Sequence, residues 1–574
     1  MAIQNFFIFI LFLPLISCNN KELYPDKNFS FESKQWSDNT WIRSTDGGIF
    51  INDTVDYIHG KQSFCFTNNW LNRHFDSYIY QYILLPIEAK KIEITIFSKS
   101  EIIDTALLKI YCLDNKENLI SKNSVNIISQ GQWGKSILSF YTENTKKIYI
   151  EIHAKSKDTI LLNKSSKQKL WVDNLQLKIN NKSLNSYPPQ NNKIATQEIK
   201  NKILINPETF KGLEKIEDFT THRIIALGES VHGSDEIQQT SFQTIKYLIV
   251  HEQCKLLLLE IPFEIGLRIN DYVLGKTSED IETLMMFYNY NISNLSMLFN
   301  WIRKYNERTQ NNIYISGIDM NFPWIRENHL LVYLKNQNIQ NDSIKTVLNL
   351  IKDHEYKLAV NAIQLLSIEK NTQRCIIHAL KYRMHKLDPA ASLIEGNRDF
   401  IQFENARFAM ETWLKKTDKA VIYAHLGHVN KKNSFSSRIY IPNFGNYMQK
   451  EYADDYFVIA LLVGCGTISN TDSLGWNSEL PLVSPPNGSI EDLCLRSGGN
   501  LFYKNLSKLN SLNSGRFIGY NYVFNQFYPY SHNGRFDAII FIKNSHGYQY
   551  PQNWPRTKEE ILEYFKKDKI NEDS

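Results

Sequence analysis

The sequence predicts a multidomain chain, in which an N-terminal all-β sandwich is followed by an α/β domain with a mainly parallel sheet and a helical insertion. Up to about residue 180, short runs alternate between apolar and polar residues with the period of a strand. Beyond about residue 200, nearly continuous apolar runs alternate with helical patterns, which is typical of strands buried on both faces of a parallel sheet. The 574 residues also exceed the size of one ordinary domain.

The first seventeen residues predict export. Residues 6–16 form an apolar run that is too short to span a bilayer but is typical of a signal peptide. The run Leu15-Ile16-Ser17-Cys18 resembles a bacterial lipobox, in which the signal is cleaved before a cysteine that becomes acylated. We therefore expect a signal peptide over residues 1–17, lipidation of Cys18 and a lipid-anchored tether over residues 18–24.

Such an anchor implies a location in the cell envelope, on a bacterial membrane and facing the periplasm or the exterior. Two or more acyl chains hold a protein stably on a membrane where a single chain is marginal. The alternative is an ordinary signal peptide in which Cys18 is incidental. The net charge of +5 is small for this length and indicates no nucleic-acid partner, which normally requires a concentrated basic face.

Residues 25–180 carry the alternating pattern that predicts the sandwich. The predicted strands are regularly spaced and rich in β-branched and aromatic residues; they comprise residues 77–84, 91–97, 106–112, 147–152 and 170–177. The opening residues 28–32 and the closing residues 170–177 resemble those of a galactose-binding-like jelly roll, a module that often binds carbohydrate in secreted enzymes. Residues 181–200, rich in Asn and Lys with a Pro-Pro pair, are predicted to be a linker.

The jelly-roll resemblance implies a glycan as a candidate partner of the sandwich, and two interpretations stay open. Trp36, Trp41 or Trp70 could stack on a sugar ring, or they could be core residues of a spacer that lifts the second domain off the membrane. Cys65 and Cys112 lie in strand-like segments of the same region, where they could form a disulfide or remain free and buried. The scattered cysteines contain no CxxC pair, so they predict no zinc ribbon.

Residues 201–574 are predicted to form the α/β domain. Ser234 is predicted to cap the helix that follows His232, and residues 326–416 contain helical patterns without a strand, which predicts a helical insertion over the sheet. The predicted parallel strands are nearly continuous apolar runs and comprise residues 223–227, 255–260, 313–317, 420–425, 457–463 and 537–542.

Ionisable side chains follow four of these strands. They are Glu229 and His232 after the first strand, Glu260 at the end of the second, Asp319 after the third, and His425 and His428 after the fourth. The carboxyl ends of parallel strands meet at one edge of a sheet, where α/β proteins bind their ligands. An unpaired buried polar group costs about 1–3 kcal/mol, so packing alone does not explain such a set at one edge. The sequence therefore predicts a functional site there.

The run Gly228-Glu229-Ser230-Val231-His232-Gly233 looks like the GExxHG signature of the erythromycin esterase family. Six further segments resemble that family in the same order, so that the resemblance spans about residues 205–545. These segments begin at Leu259, Trp301, Gly317, Asn397, Ala424 and Phe536.

The resemblance implies an esterase that attacks a carboxylic ester, such as a macrolide lactone, with water and without a serine acyl-enzyme. A neutral imidazole near pH 7 can take a proton from water, and the chain has no GxSxG elbow for a nucleophilic serine. No cofactor and no metal is assigned, and the expected partner is a small-molecule ester. The implied catalytic residues are His232 as general base with Glu229, Glu260, His425 and His428, and the implied substrate-binding residues are Asp319 and Arg398.

Two positions depart from the pattern of the family. The family usually carries a basic residue nine positions after the signature histidine and an asparagine between the two later histidines, where this chain has Ser241 and Leu426. Both departures bear on substrate specificity and leave the implied base in place. Two alternatives stay open: a metal-dependent hydrolase, in which the three histidines and two glutamates ligate a divalent ion, and a non-catalytic glycan-binding lipoprotein with a degenerate esterase domain.

Overall fold

The computed structural model of the chain describes residues 28–32, 41–43, 48–68, 76–114, 118–155, 168–187, 199–284, 292–309, 311–320, 323–337, 342–386, 397–432, 442–472, 475–486, 488–507, 514–519, 526–528, 532 and 534–549. The chain divides into two compact units, one formed mainly by residues before 192 and the other mainly by residues from 192 onward. The predicted signal peptide, Cys18 and the tether lie outside the described residues, as do Trp36 and Trp70. The predicted domain boundaries stay predictions.

The N-terminal unit is an antiparallel β-sandwich, as predicted. Its strands are β1 (Ile42–Arg43), β2 (Gly48–Asp53), β3 (Ser63–Asn68), β4 (Asp76–Leu84), β5 (Lys91–Glu101), β6 (Thr105–Leu113), β7 (Leu119–Asn126), β8 (Gly134–Tyr141), β9 (Lys147–Lys155), β10 (Lys169–Ile179) and β11 (Lys182–Ser183). One sheet has the order β1-β4-β9-β6-β7, and the other has the order β2-β3-β10-β5-β8 with β11 paired to β10. Pairs such as β4–β9 and β5–β10 are antiparallel.

Trp41 is a core residue of this sandwich. Its side chain is fully buried, its ring stacks on Phe31 with 5.5 Å between centroids, and its indole N–H donates to the Asn28 carbonyl at 3.1 Å. Residues 28–32, which resembled the opening strand of a jelly roll, instead form a turn, because the Phe31 N–H closes back on the Asn28 carbonyl. Trp41 therefore contributes to packing and offers no face to a sugar.

The C-terminal side of the sandwich extends past the predicted start of the linker. Strand β11 pairs with β10, and a short 3-10 helix follows at Leu184–Ser186. The buried Tyr187 hydroxyl donates to the Ile179 carbonyl at 2.7 Å, which ties this extension to the sandwich. Of the two open interpretations for the cysteines, the structure shows Cys65 and Cys112 as free, buried thiols.

The second unit is built on one mixed, mostly parallel sheet. Its strands are β12 (Ile203–Leu204), β13 (Ile224–Glu229), β14 (Cys254–Pro262), β15 (Tyr314–Asp319), β16 (Lys419–His425), β17 (Tyr456–Asp472), β18 (Gly475–Pro481), β19 (Leu501–Asn505) and β22 (Ala538–Ser545), and a separate pair is formed by β20 (Gly515–Arg516) and β21 (Phe527–Tyr528). The order is β12-β19-β22-β17-β13-β16-β14-β15, with β18 paired to β17. The six neighbours from β22 to β15 are all parallel. These six are the predicted strands, so the predicted fold class is confirmed.

Helices surround this sheet. They are α1 (Asp218–Thr221), α2 (Asp235–His251), α3 (Phe263–Val273), α4 (Ile281–Leu284), α5 (Ile292–Thr309), α6 (Pro323–Lys335), α7 (Asp342–Lys352), α8 (Tyr356–Gln364), α9 (Lys370–Lys386), α10 (Asn397–Trp413), α11 (Leu426–Val429), α12 (Phe444–Tyr452) and α13 (Ile490–Arg496), with short 3-10 helices at Pro207–Thr209, Leu213–Lys215 and Ala453–Asp455. Helices α6 to α10 follow one another without a described strand between them, as the predicted helical insertion requires. None of the helices in the described part of the chain combines the length and the apolar character needed to cross a bilayer.

The turn between β13 and α2 is set by local chemistry. The Ser234 hydroxyl accepts from the Ile237 N–H at 3.2 Å, so the predicted N-cap is present. Gly233 has φ +90°, and a Cβ there would lie 1.6 Å from the Ser469 carbonyl oxygen, so this position requires glycine. A Cβ on Gly228 would lie 2.6 Å from Val429, so glycine also lets α11 approach the strand.

Candidate active site

The parallel register brings the predicted site residues to one edge of the sheet. Glu229 at the end of β13 pairs with His425 at the end of β16, and Pro262 of β14 pairs with Asp319 of β15. Strand β16 lies between β13 and β14, so the acids and imidazoles that follow these four strands share one edge of the sheet. Such an edge is where open α/β sheets bind their ligands.

Glu229 and His232 form a hydrogen-bonded dyad, which we call the dyad below. The distance from His232 Nδ1 to Glu229 Oε1 is 2.5 Å, and the other oxygen of Glu229 accepts a hydrogen bond from the Tyr423 hydroxyl. Because the carboxylate accepts, Nδ1 carries the proton and Nε2 is the free lone pair of the neutral ring. Within the described residues, Nε2 makes no hydrogen bond, and the His232 side chain is 13% exposed.

His425 lies beside the dyad. The centroids of its ring and of the His232 ring are 4.4 Å apart with 32° between their planes. Its Nε2 lies 3.1 Å from the Ile518 carbonyl oxygen, and its backbone N–H donates to Glu260 Oε2 at 2.7 Å. A carbonyl can only accept, so neutral His425 carries its proton on Nε2.

His428 is held between two carboxylates. Its Nδ1 lies 2.7 Å from Asp399 Oδ1, and its Nε2 lies 3.3 Å from Glu260 Oε1. The same Glu260 oxygen accepts from the Arg398 guanidinium at 3.1 Å. Glu260 therefore joins the imidazole of His428, the guanidinium of Arg398 and the backbone of His425.

Asp319 and Arg398, both predicted to bind substrate, bind each other. Arg398 donates to the two oxygens of Asp319 at 2.9 and 2.7 Å, and the Asp319 carboxylate also accepts from Gln402 and from the Met320 N–H. Asp319 is buried and has four donors, whereas the Arg398 side chain is 35% exposed. The geometry thus makes Asp319 a support for Arg398, and it leaves Arg398 as the member of the pair that a substrate can reach.

The three histidines have different pKa values. Burial lowers the pKa of His232, but the hydrogen bond and charge of Glu229 outweigh burial and raise it above 6.5. Burial and the neighbouring His232 hold the pKa of His425 well below 6.5. Burial opposes charge on His428 too, but Asp399 and Glu260 raise its pKa to about 10. At neutral pH, His428 is therefore an imidazolium and His425 is a neutral imidazole.

The carboxylates stay ionised in this setting. Burial favours the neutral form of Glu260, but His428 and Arg398 hold the pKa of its carboxyl well below the usual range. Burial likewise opposes charge on Asp319, and Arg398 lowers its pKa below the usual 3.8. Neighbouring cations thus preserve two buried negative charges at the sheet edge.

Both residues that depart from the family pattern are buried. Ser241 is buried within α2, where its hydroxyl donates to the Ile237 carbonyl at 2.7 Å. Leu426 is buried at the start of α11, where a Cβ built on Gly228 would lie 2.9 Å from its side chain. Both residues are integrated into local packing.

Three participants were not assigned a role from the sequence. Tyr423 was one residue of an apolar strand, although an aromatic hydroxyl two positions before the strand-end histidine could have signalled a partner on the same face. Asp399 stands in one of the segments resembling the family, next to Arg398. Ile518 acts through its backbone carbonyl, for which a sequence carries no signal.

The described residues contain no group of three or more His, Cys, Asp or Glu side chains arranged to hold a metal ion. The closest imidazole–carboxylate contacts, such as the one between His232 and Glu229, are hydrogen bonds within the protein.

The model of the erythromycin esterase family matches residues 249–375 and 336–545, which together cover just over half of the chain. The GExxHG-like turn at residues 228–233 precedes the matched range. A curated relative, erythromycin esterase type II of Escherichia coli, is 25% identical over 199 residues, which are 32% of this chain and 46% of the relative. The match thus spans less than half the length of that relative.

Two solved structures resemble parts of the chain. An erythromycin esterase variant in its open conformation is 15% identical, with a TM-score of 0.44, and the similarity covers 61% of this chain and 98% of that one. A carbohydrate-binding module in complex with β-1,4-galactotriose is 15% identical, with a TM-score of 0.21, and the similarity covers 28% of this chain and 99% of the module. By the match to residues 249–545, the chain belongs to the erythromycin esterase family.

Proposed function

We propose that this protein is a lipid-anchored hydrolase that cleaves a carboxylic ester with water activated by His232, without a serine acyl-enzyme. The observation that carries the proposal is the dyad. Glu229 holds Nδ1–H of His232 at 2.5 Å, which leaves Nε2 as a lone pair without a hydrogen-bond partner among the described residues. A base that is fixed in this tautomer and partly exposed to solvent is what water activation requires.

In the proposed reaction, Nε2 of His232 takes a proton from water while the water oxygen attacks the ester carbonyl carbon. The resulting imidazolium is stabilised by the Glu229 carboxylate, as in other histidine–carboxylate pairs. When the tetrahedral intermediate collapses, the bond to the alkoxide breaks, and the imidazolium returns its proton to the leaving alcohol. One water is consumed, and a carboxylic acid and an alcohol are released.

The cations of the site supply electrostatic stabilisation. His428 is an imidazolium with a side chain that is 16% exposed, and the partly exposed Arg398 lies next to it through Glu260. Both charges favour the developing oxyanion more than the neutral ester, which is the condition for rate acceleration. Neutral His425 adds no second positive charge next to His232.

The substrate proposed is an ester of the macrolide lactone type or an acylated sugar. Support for a lactone comes from the family and from the name of the curated relative. Support for an extracytoplasmic ester comes from the lipobox-like sequence that ends at Cys18 and from the sandwich that precedes the catalytic domain. Glycan binding by the sandwich stays a prediction, and since Trp41 is core, it would need aromatic residues other than Trp41.

The test is a hydrolysis screen with purified full-length protein. Macrolides, acylated sugars and p-nitrophenyl esters are incubated with the wild type, with His232→Ala and with a matched control, His251→Ala, which removes an exposed histidine at the end of α2. We expect turnover by the wild type and the control and a loss of at least about a hundredfold in His232→Ala, the lower end of the usual range for general base catalysis. Equal activity of His232→Ala and wild type would disprove the mechanism.

The membrane anchor is tested separately. Wild-type protein expressed in a bacterium should fractionate with membranes, and Cys18→Ala should not. Recovery of the wild type in the fraction released without detergent would contradict the anchor and leave the hydrolase proposal intact.

A further inference from the structure

Residues 514–519 run beside the two neighbouring imidazoles. The carbonyl oxygen of Ile518 accepts from the His232 backbone N–H at 3.1 Å and lies 3.1 Å from His425 Nε2. The Ile518 N–H donates to the Ser230 carbonyl at 2.9 Å. The backbone N–H and carbonyl of one residue of this segment therefore contact the GExxHG-like turn, and the same carbonyl sets the tautomer of His425.

The neighbours of Ile518 reinforce this contact. The ring of Phe517 meets the His425 ring edge-on, with 4.5 Å between centroids, and it also packs against Gly427, where a Cβ would lie 2.7 Å from it. On the other side, the Asn470 side-chain amide donates to the Gly519 carbonyl at 2.9 Å. His425 is thus confined by a ring and by a carbonyl of the same segment.

Arg516 holds the other end of the segment. Its side chain is fully buried, and its guanidinium donates to the carbonyls of Gly464 at 2.9 Å and Val483 at 2.8 Å and to the Gln526 side-chain oxygen. Its backbone N–H donates to Glu491 at 2.8 Å. The guanidinium thus ties the segment to the β17 backbone and to the chain after β18.

The burial of Arg516 is unfavourable in free energy. Removing a guanidinium from water costs several kcal/mol, and apolar residues of similar volume often stabilise a fold at least as well as a buried charge. The guanidinium instead orients the chain around it, because its planar group of donors binds several acceptors at fixed angles. Phe517 and Ile518 follow Arg516 directly in the chain, so the contacts that hold Arg516 also restrict their positions.

We propose that residues 514–519 are the positioning segment of the active site and that Arg516 is its positioning residue, which fixes His425 as the Nε2–H tautomer beside His232. This inference rests on the proposed function, since it assigns a task to the segment within that reaction. With Nε2 occupied, His425 presents no lone pair on that nitrogen that could compete with His232 for the proton of water. A displaced segment would release the ring and leave His232 without its backbone anchor.

The first test reads the tautomer directly. Nitrogen-15 spectra of full-length protein labelled at histidine report which ring nitrogen carries the proton, and His425→Gln identifies the signals of His425. We expect an Nε2–H signature in the wild type and in the control Arg496→Met, which removes a half-exposed arginine paired with Asp492 on α13. In Arg516→Met we expect a mixture of tautomers; an unchanged Nε2–H signature in a folded Arg516→Met would overturn the proposal.

The second test is kinetic. We expect kcat to fall about 10- to 100-fold in Arg516→Met with KM within about twofold, because misplacement by about an ångström costs that much in rate. Arg516→Lys, which keeps a charge and three donors, should recover part of the loss. A loss that appears in KM alone, or equal loss in Arg496→Met, would contradict the positioning role.

A second variant covers the case in which Arg516→Met does not fold. Asn470→Ser removes the hydrogen bond to Gly519 at the opposite end and should produce the same two changes, so wild-type spectra and rates in this variant would overturn the proposal. Failure of the proposed function is distinguishable, because it shows as full activity in His232→Ala. The tautomer signature of His425 is measured without any substrate and is unaffected by that result.

Discussion

Replacing Glu229 by glutamine is expected to move the acid limb of the pH–rate profile to lower pH. The substitution keeps the shape of the side chain and removes the charge that holds His232 Nδ1–H at 2.5 Å. Glu229, and to a smaller extent Glu260, raise the pKa of His232, whereas burial and the His428 cation lower it. Glu229 is the largest raising influence, so the pKa of His232 should fall when its charge is removed. Because the base must be neutral, activity would then persist to lower pH.

The same substitution should reduce the plateau rate. The imidazolium that forms in the transition state loses a charge-assisted hydrogen bond, which is worth about 1.5–3 kcal/mol. At about 1.4 kcal/mol for each tenfold change, kcat should fall about 10- to 150-fold. The predicted result is therefore a lower plateau of kcat together with an acid limb that lies at lower pH than in the wild type.

The matched control is Glu236→Gln. Glu236 contacts His546 Nδ1 at the same 2.5 Å, but this histidine is 75% exposed and lies outside the four strand ends that form the site. The measurement is kcat from pH 5 to 9 for wild type and both variants on the best ester of the screen. An acid limb that stays in place or moves to higher pH in Glu229→Gln would refute the assignment of this carboxylate, as would an equal shift in the control.

Three further substitutions give distinct outcomes. Tyr423→Phe removes a donor to the dyad carboxylate, so more of the negative charge acts on His232, the acid limb should move to higher pH, and kcat should fall about tenfold. Asp399→Asn removes the largest influence that raises the pKa of His428 to about 10, so the alkaline limb of kcat should move to lower pH in the same assay. Burial raises the pKa of Glu491 from 4.5 to about 7, so wild type should lose up to about 3 kcal/mol of stability as pH rises from about 4.5 to 7. Glu491→Gln cannot ionise, and thermal unfolding across that range should show a smaller pH dependence in the variant.

The fold was predictable because burial on both faces leaves a simple record in the sequence. Residues 224–227 are apolar and are followed by a glycine and a glutamate, and all six residues of this strand are buried in the structure. The helix cap at Ser234 was predictable for a different reason, because it depends on one hydroxyl and on residues within three positions of it. Residues 28–32 were misjudged because a short apolar–polar alternation also occurs in a turn with one buried ring, here Phe31.

The members of the site were predictable only as far as they stand at strand ends. Glu229 and His425 pair across β13 and β16, and their place at one edge of the sheet, though not this pairing, could be anticipated from parallel strands alone. The partnership of Asp319 with Arg398 could not, because it joins a strand end to a helix 79 positions later in the chain. The carbonyl of Ile518 carries no side-chain identity, so no residue pattern could have indicated it.

The arrangement of charges explains how three histidines at one sheet edge can have different pKa values. His232 has one carboxylate on Nδ1, which raises its pKa above the usual 6.5 in spite of burial. His428 has carboxylates at both ring nitrogens and is a permanent cation near pH 7. His425 faces a carbonyl instead of a carboxylate and sits next to His232, so it stays neutral. Environments that push the pKa values of neighbouring groups apart thus give the three imidazoles different protonation behaviour without any change of residue type. A carboxylate introduced opposite His425 should therefore abolish activity. It would raise the pKa of His425, and a second cation whose ring centroid lies 4.4 Å from that of His232 would suppress the base.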